Sequence, residues 1–112
     1  MINKLYKNLI NSVNGLKIAV HEHSFFVEII LGIIIIPYAL IIEISIELKL
    51  LIIIIYFILL ASELINTSIE KLCDKITKNY DEDIKIIKDI ASASVFIILL
   101  ALLFLIIFSI FS

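Results

Sequence analysis

Apolar and polar residues alternate in two different ways along the chain, and each pattern predicts helices in a different setting. Between residues 3 and 20 apolar residues recur every three or four positions among lysines and asparagines. This pattern is typical of an amphipathic helix lying in a membrane surface, although a helix packed on a partner would show it too. Residues 25–42 and 90–111 are instead almost wholly apolar, which predicts helices that cross a bilayer, and Ser24 is a plausible N-cap of the first.

A third apolar run is too short to cross a membrane by itself. Leu50 to Ala61 contains twelve apolar residues, which cover roughly 18 Å as a helix, whereas the hydrocarbon layer is roughly 30 Å thick. To span, this helix must continue through Glu63 and Asn66 to about Ile69. We therefore expect a helix over residues 48–70 that carries polar groups into the inner leaflet or its edge.

These polar groups form a stripe on one helical face. Each helical residue advances by about 100°, so Glu63, Asn66, Glu70 and Asp74 point in similar directions. A charge at the bilayer centre costs roughly 2.5–3.5 kcal/mol on insertion scales, so a buried acid needs a partner, a proton or a metal ion. We interpret the first three residues as a functional site and Asp74 as a solvated or capping residue.

The composition agrees with an all-α membrane protein. Hydrophobic residues make up 62% of the chain and the mean hydropathy is +1.20, more apolar than an ordinary soluble domain. We expect one domain over residues 1–112, an oligomeric bundle with an N-terminal amphipathic surface helix and three transmembrane helices. The expected bounds are about 3–20 for the surface helix and about 25–42, 48–70 and 88–111 for the spans.

The charges exclude some functions and predict a topology. The net charge is −2 and no basic stripe is present, so we expect no nucleic-acid partner. The single cysteine excludes an internal disulfide, and with two glycines there is no Gly-rich phosphate loop. Lysines concentrate before the first span and between the second and third, so the positive-inside rule places these segments in the cytoplasm and the C-terminus outside.

Several polar residues then meet at the cytoplasmic interface. They are Glu22, Glu28, Glu63, Asn66, Glu70, Lys88 and Asp89. Carboxylates from separate helices suit Mg²⁺, a carboxylate in a partly apolar setting can act as a base, and a lysine can contact a phosphate. The residues alone leave open a small proton- or ion-coupled transport or assembly protein, and an oligomer whose polar groups serve packing only.

Two motifs resemble a known enzyme family. Glu63-Leu-Ile-Asn66-Thr-Ser-Ile-Glu70, followed by Asp74, is similar to the signature of the small prokaryotic diacylglycerol kinases and the related undecaprenol kinases. Lys88-Asp89-Ile-Ala-Ser92-Ala resembles the second signature of that family. Gly15-Leu-Lys17 and Glu22-x-x-Phe25-x-x-Glu28 resemble its N-terminal region.

The resemblance implies a homotrimeric enzyme of the bacterial inner membrane that transfers the γ-phosphate of MgATP to a lipid alcohol. It implies that Glu63 is the catalytic base and that Glu22 and Glu70 hold Mg²⁺. The implied ATP-binding residues are Lys4, Asn11, Glu22, Asn66, Glu70, Asn79, Tyr80, Asp81, Lys88 and Asp89. The implied lipid-substrate residues are Lys17, Phe25, Glu28, Glu63 and Ser92. The Ala-Ser-Ala-Ser run favours diacylglycerol as acceptor, with undecaprenol as the alternative.

Overall fold

The chain folds into four α-helices without strands. The computed structural model describes residues 1–112, and its helices are α1 (Ile2–Ala19), α2 (His23–Ile41), α3 (Ile46–Ile76) and α4 (Glu82–Ile110). The expected all-α class is confirmed. Three of the helices, α2, α3 and α4, are long and apolar enough to cross a membrane.

Local sequence explains where the long helices begin. Ser45 caps α3 by accepting a hydrogen bond from the backbone N–H of Leu48 at 3.2 Å. Asp81 caps α4 in the same way, through the N–H of Ile84 at 3.0 Å, and two acids follow in the first turn. The expectation for Ser24 is wrong, because α2 already begins at His23 and its N-cap residue is Glu22, without a side-chain cap bond.

Helix α3 is the centre of the bundle. It runs for 31 residues without a break, a length of about 46 Å, so the polar stripe does continue the apolar run as one helix. Helices α2 and α4 both pack against it. Its buried residues Ile52, Tyr56 and Leu59 form the core with Ile35 of α2 and Leu102 of α4.

Most apolar side chains point away from this core. Only 15 of the 112 residues are buried, so an aqueous environment would leave the outer faces of three apolar helices in water. In a bilayer these apolar faces would contact hydrocarbon instead. The backbone polar groups need no water there, because most of their hydrogen bonds are made within the helices. The fold is therefore that of a helical membrane protein.

Helix α1 forms where the sequence predicts a helix. Its apolar residues Leu5, Leu9, Val13 and Leu16 are all exposed, so the chain itself does not bury this face. Its position on the membrane surface stays a prediction.

The two helix ends away from the stripe are joined by polar contacts. The hydroxyls of Tyr38 in α2 and Ser109 in α4 are 2.8 Å apart, and Ser109 donates to the carbonyl oxygen of Ile106 at 2.6 Å. Lys49 Nζ donates to the carbonyl oxygen of Leu40 at 3.0 Å, near the C-terminus of α2. We call this part of the bundle the outer end and the part with the stripe the acidic end.

Candidate active site at the acidic end

The polar stripe passes from the interior of the bundle to its surface. Glu63 and Asn66 are each only 6% exposed, whereas Glu70 and Asp74 are exposed. Asn66 Nδ2 donates to Glu70 Oε1 at 3.1 Å, which shows that these residues occupy neighbouring positions on one face. Along a single face, α3 therefore offers a sheltered carboxyl group and, two turns away, an accessible one.

A second acid joins the sheltered one from α2. The carboxyl groups of Glu28 and Glu63 lie next to each other in the helix interface. Glu28 Oε1 is buried without an N–H or hydroxyl donor. The structure thus brings together two of the acids that the sequence predicts for the site.

The amide of Asn66 is only half satisfied. Its Nδ2 is bonded to Glu70, but its Oδ1 is buried and has no hydrogen-bond partner. Buried polar atoms without partners are rare in proteins and ask for a ligand, an ion or water. Both such atoms of this chain, Glu28 Oε1 and Asn66 Oδ1, lie at the acidic end.

Two ion pairs connect the helices where α3 extends beyond its apolar part. Lys71 Nζ lies 2.7 Å from Glu22 Oε1, and Lys88 Nζ lies 2.8 Å from Asp74 Oδ1. The hydrogen bond to Lys88 and the positive charge of that group lower the pKa of Asp74. Glu22 likewise raises the pKa of Lys71. Asp74 is exposed, as expected of a solvated residue, and its ion pair also connects α3 to α4.

Lys71 is absent from the residues that the sequence predicts for the site. The signal that could have found it is its position directly after Glu70, in the lysine-rich stretch that the positive-inside rule uses. Its partner Glu22 lies in the α1–α2 corner, and no sequence pattern links that corner to α3.

The predicted nucleotide-binding residues lie in several separate places. Lys4 and Asn11 are exposed on α1, and no hydrogen bond or ion pair joins them to the acids. Asn79 and Tyr80 are exposed in the α3–α4 loop, and Tyr80 is 81% exposed. Asp81 ends that loop and caps α4, while Asp89 pairs with Lys85 at 2.6 Å. Asn66 and Glu70 are part of the stripe, Lys88 pairs with its last residue Asp74, and Glu22 reaches its side through Lys71.

The predicted lipid-binding residues also lie in different parts of the structure. Phe25 is only 2% exposed, so its side chain is buried within the chain. Lys17 and Ser92 are exposed on α1 and α4. Glu28 and Glu63 form the acid pair described above.

A groove runs between α1 and α3 next to the stripe. Its volume is about 480 Å³, and its walls include Gly15 and Leu16 of α1 and Leu64, Ser68 and Lys71 of α3. The walls combine apolar surface with hydroxyl and ammonium groups. Such a lining suits an amphiphile with an apolar chain and a polar head.

The oxygen atoms at the acidic end have the chemistry that Mg²⁺ prefers. Carboxylate and amide oxygens are its usual protein ligands, often one or two together with phosphate. Glu70 and the free Oδ1 of Asn66 fit this description, whereas Glu22 is engaged by Lys71. Within one chain no three His, Cys, Asp or Glu side chains cluster as a metal site.

A family model now connects this geometry with known proteins. The model for prokaryotic diacylglycerol kinase matches residues 10–111, which include all three long helices and the whole stripe. A search of curated proteins finds no significant match. Because the match covers nearly the entire chain, the chain belongs to the prokaryotic diacylglycerol kinase family.

Proposed function

We propose that this protein transfers the γ-phosphate of ATP to the hydroxyl group of diacylglycerol, giving phosphatidic acid. Family membership supports a small membrane lipid kinase and does not favour the transport alternative. The observation that carries the proposal is the stripe on α3, which links the sheltered Glu63 to the exposed Glu70. A lipid alcohol and a water-soluble nucleotide need sites at these two depths.

Glu63 is our candidate for the base. A lipid hydroxyl resides at the level of the membrane interface, and Glu63 lies where the apolar run of α3 gives way to the stripe. Its carboxylate would accept the hydroxyl proton as the oxygen attacks the phosphorus atom. Glu28 beside it would restrict the orientation of this carboxylate.

Glu70 and Glu22 are our candidates to hold Mg²⁺, with Asn66 Oδ1 as a further oxygen. When bound, the ion supplies positive charge that balances the phosphate oxygens. Lys88 is placed by Asp74 at the exposed end of the stripe, where its ammonium group would contact a phosphate as a point charge. Glu22 becomes free for an ion only when Lys71 leaves it.

The proposed site faces the cytoplasm, where ATP is present. Five of the nine lysines lie between Lys71 and Lys88, at the acidic end, which supports this orientation in a bacterial inner membrane. We also propose that α1 lies on this membrane surface and that the chain assembles as a homotrimer. The exposed apolar faces of α1 and α4 are compatible with both.

Diacylglycerol is the proposed acceptor because the run Ala91-Ser92-Ala93-Ser94 of α4 resembles the diacylglycerol kinase branch of the family. Ser94 Oγ donates to the carbonyl oxygen of Ala91 at 2.7 Å, so this hydroxyl is turned onto its own helix. Undecaprenol, whose chain is much longer, is the alternative within the same family.

The test is an assay of purified protein in detergent with MgATP and either lipid. We expect phosphatidic acid from diacylglycerol and slower phosphorylation of undecaprenol. Faster phosphorylation of undecaprenol would show that undecaprenol is the acceptor and would still support a lipid kinase. Phosphorylation of neither lipid would overturn the proposed function.

A further inference from the structure

Tyr56 makes an unusual contact with the backbone of α2. Its ring is 3% exposed, and its hydroxyl donates a hydrogen bond to the carbonyl oxygen of Glu28 at 2.8 Å. The ring lies directly over Gly32, where a Cβ atom would overlap with the phenol group. A glycine at position 32 is therefore what allows this tyrosine to reach the backbone of the neighbouring helix.

The same two helices meet again at the acid pair. Tyr56 and Glu63 are seven residues apart, or about two turns, so both point from α3 towards α2. Helix α2 is antiparallel to α3, since Leu40 pairs with Lys49 and Glu28 with Tyr56. In an α-helix the carbonyl groups point to the C-terminus and the side chains tilt to the N-terminus. Glu28 can thus offer its carbonyl group to Tyr56 and its carboxyl group to Glu63.

We propose that Tyr56, seated on Gly32, is a positioning residue that fixes Glu28 against Glu63. The hydrogen bond holds the backbone of Glu28 at a set depth and rotation relative to α3, and the carboxyl group follows the backbone. This inference rests on the proposed function of the two acids. Tyr56 acts through Glu28 and does not touch the substrates.

The hydroxyl group of Tyr56, rather than its ring, distinguishes a positioning role from a packing role. A phenylalanine would fill the space over Gly32 equally well, and the carbonyl oxygen of Glu28 lies inside a helix where backbone bonding already satisfies it. A packing role therefore predicts that Tyr56→Phe leaves turnover unchanged. A positioning role predicts a slower reaction from a protein that is still folded.

The chain offers a matched control. Tyr38→Phe makes the same chemical change at the outer end of the bundle, where the hydroxyl of this α2 residue contacts Ser109 of α4 and no acid. We expect Tyr56→Phe to lower kcat by about 3- to 10-fold, the range that one hydrogen bond supports, with an unchanged KM for ATP. We expect Tyr38→Phe to leave kcat unchanged. Equal kcat values for Tyr56→Phe and the unmodified protein would overturn the proposal.

A double-mutant cycle shows whether the effect passes through Glu28. If it does, Tyr56→Phe has no further effect on kcat once Glu28→Gln is present. If the two changes multiply, Tyr56 acts independently of Glu28 and the proposal is wrong. Both single variants and the double variant are compared at saturating MgATP and lipid.

A second measurement does not depend on kinase activity. An apolar carbodiimide labels carboxyl groups within the membrane, and peptide mass spectrometry gives the labelling rate of Glu28. We expect Tyr56→Phe to change this rate and Tyr38→Phe to leave it unchanged. If Tyr56→Phe changes the labelling rate of Glu28 but the unmodified protein phosphorylates no lipid, the proposed function is overturned and the positioning contact still stands. An unchanged rate in an active kinase would overturn the positioning role.

Discussion

The two ends of the helix bundle treat their polar groups differently. At the outer end the hydroxyls of Tyr38 and Ser109 are paired, and Lys49 satisfies a carbonyl group near the C-terminus of α2. At the acidic end Glu28 Oε1 and Asn66 Oδ1 are buried without a donor. The same helices α2, α3 and α4 contribute to both ends.

This difference indicates where the molecule is built to bind something. Leaving a buried polar group unsatisfied costs about 1–3 kcal/mol, and the outer end avoids that cost by joining its groups to each other. The acidic end keeps its acceptors available, at the expense of stability. Such a trade is expected at a site whose polar groups are completed by ligands.

The largest expected effect comes from removing the candidate base. Glu63→Gln keeps the shape of the side chain but cannot accept the hydroxyl proton, so we expect lipid phosphorylation to fall by about 10²- to 10⁴-fold. Membrane insertion and the oligomeric state, measured by fractionation and crosslinking, should not change. Normal turnover in this variant would remove Glu63 from the role of base.

Gly32→Ala should give the next largest effect, this time on stability. The new Cβ overlaps with the Tyr56 ring, and overpacking of this kind costs about 1–3 kcal/mol. The matched control is Gly15→Ala, because nothing lies within 4 Å of a Cβ atom at Gly15. Thermal unfolding in detergent should show a lower Tm for the first variant only, and equal Tm values would contradict the close contact.

A smaller effect should follow from freeing Glu22. Lys71→Met removes the ammonium group that lies 2.7 Å from this carboxylate, so we expect the Mg²⁺ concentration for half-maximal activity to fall. Lys75→Met is the control, since it removes an equal charge from a lysine of α3 that forms no ion pair. An identical Mg²⁺ dependence in both variants would show that Lys71 does not compete for Glu22.

The smallest expected effect concerns acid stability. Lys88 lowers the pKa of Asp74 below its usual 3.8, so this pair stabilises the fold above that value and stops doing so as pH falls through the lowered pKa. Asp74→Asn should therefore lower Tm slightly at pH 6 and not at all at the acidic limit. The check is Tm against pH for both proteins. A difference that persists at the lowest pH would point to a role of Asp74 other than this ion pair.

The sequence predicts the parts of this structure that depend on length and period. Twelve apolar residues cannot span a bilayer, so the continuation of α3 through Glu63 and Asn66 follows from length alone. The shared face of the stripe follows from the helical period. Motif resemblance then leads to the family that the match over residues 10–111 supports.

Contacts between helices are what the sequence does not provide. Periodicity tells which residues share a face, but it does not tell which residue of another helix they meet. For this reason the Glu22–Lys71 pair and the contact of Tyr56 with the Glu28 carbonyl group are visible only in the structure. Asp81 shows the same limit, since the resemblance implies a nucleotide contact, which stays a prediction, but does not reveal that its carboxylate caps α4.

The unequal lengths of α2 and α3 have a consequence for the two proposed substrates. Helix α2 has 19 residues, or about 28 Å, and so its length matches the thickness of the hydrocarbon layer. Helix α3 is twelve residues longer, and because a short link joins the two helices at the outer end, this extra length lies at the acidic end. Glu70 lies within this extension of α3, whereas Glu63 lies just before it. A bilayer much thicker than the length of α2 would bury this extension in hydrocarbon. Membrane thickness should therefore decide whether the nucleotide and the lipid can reach the same site.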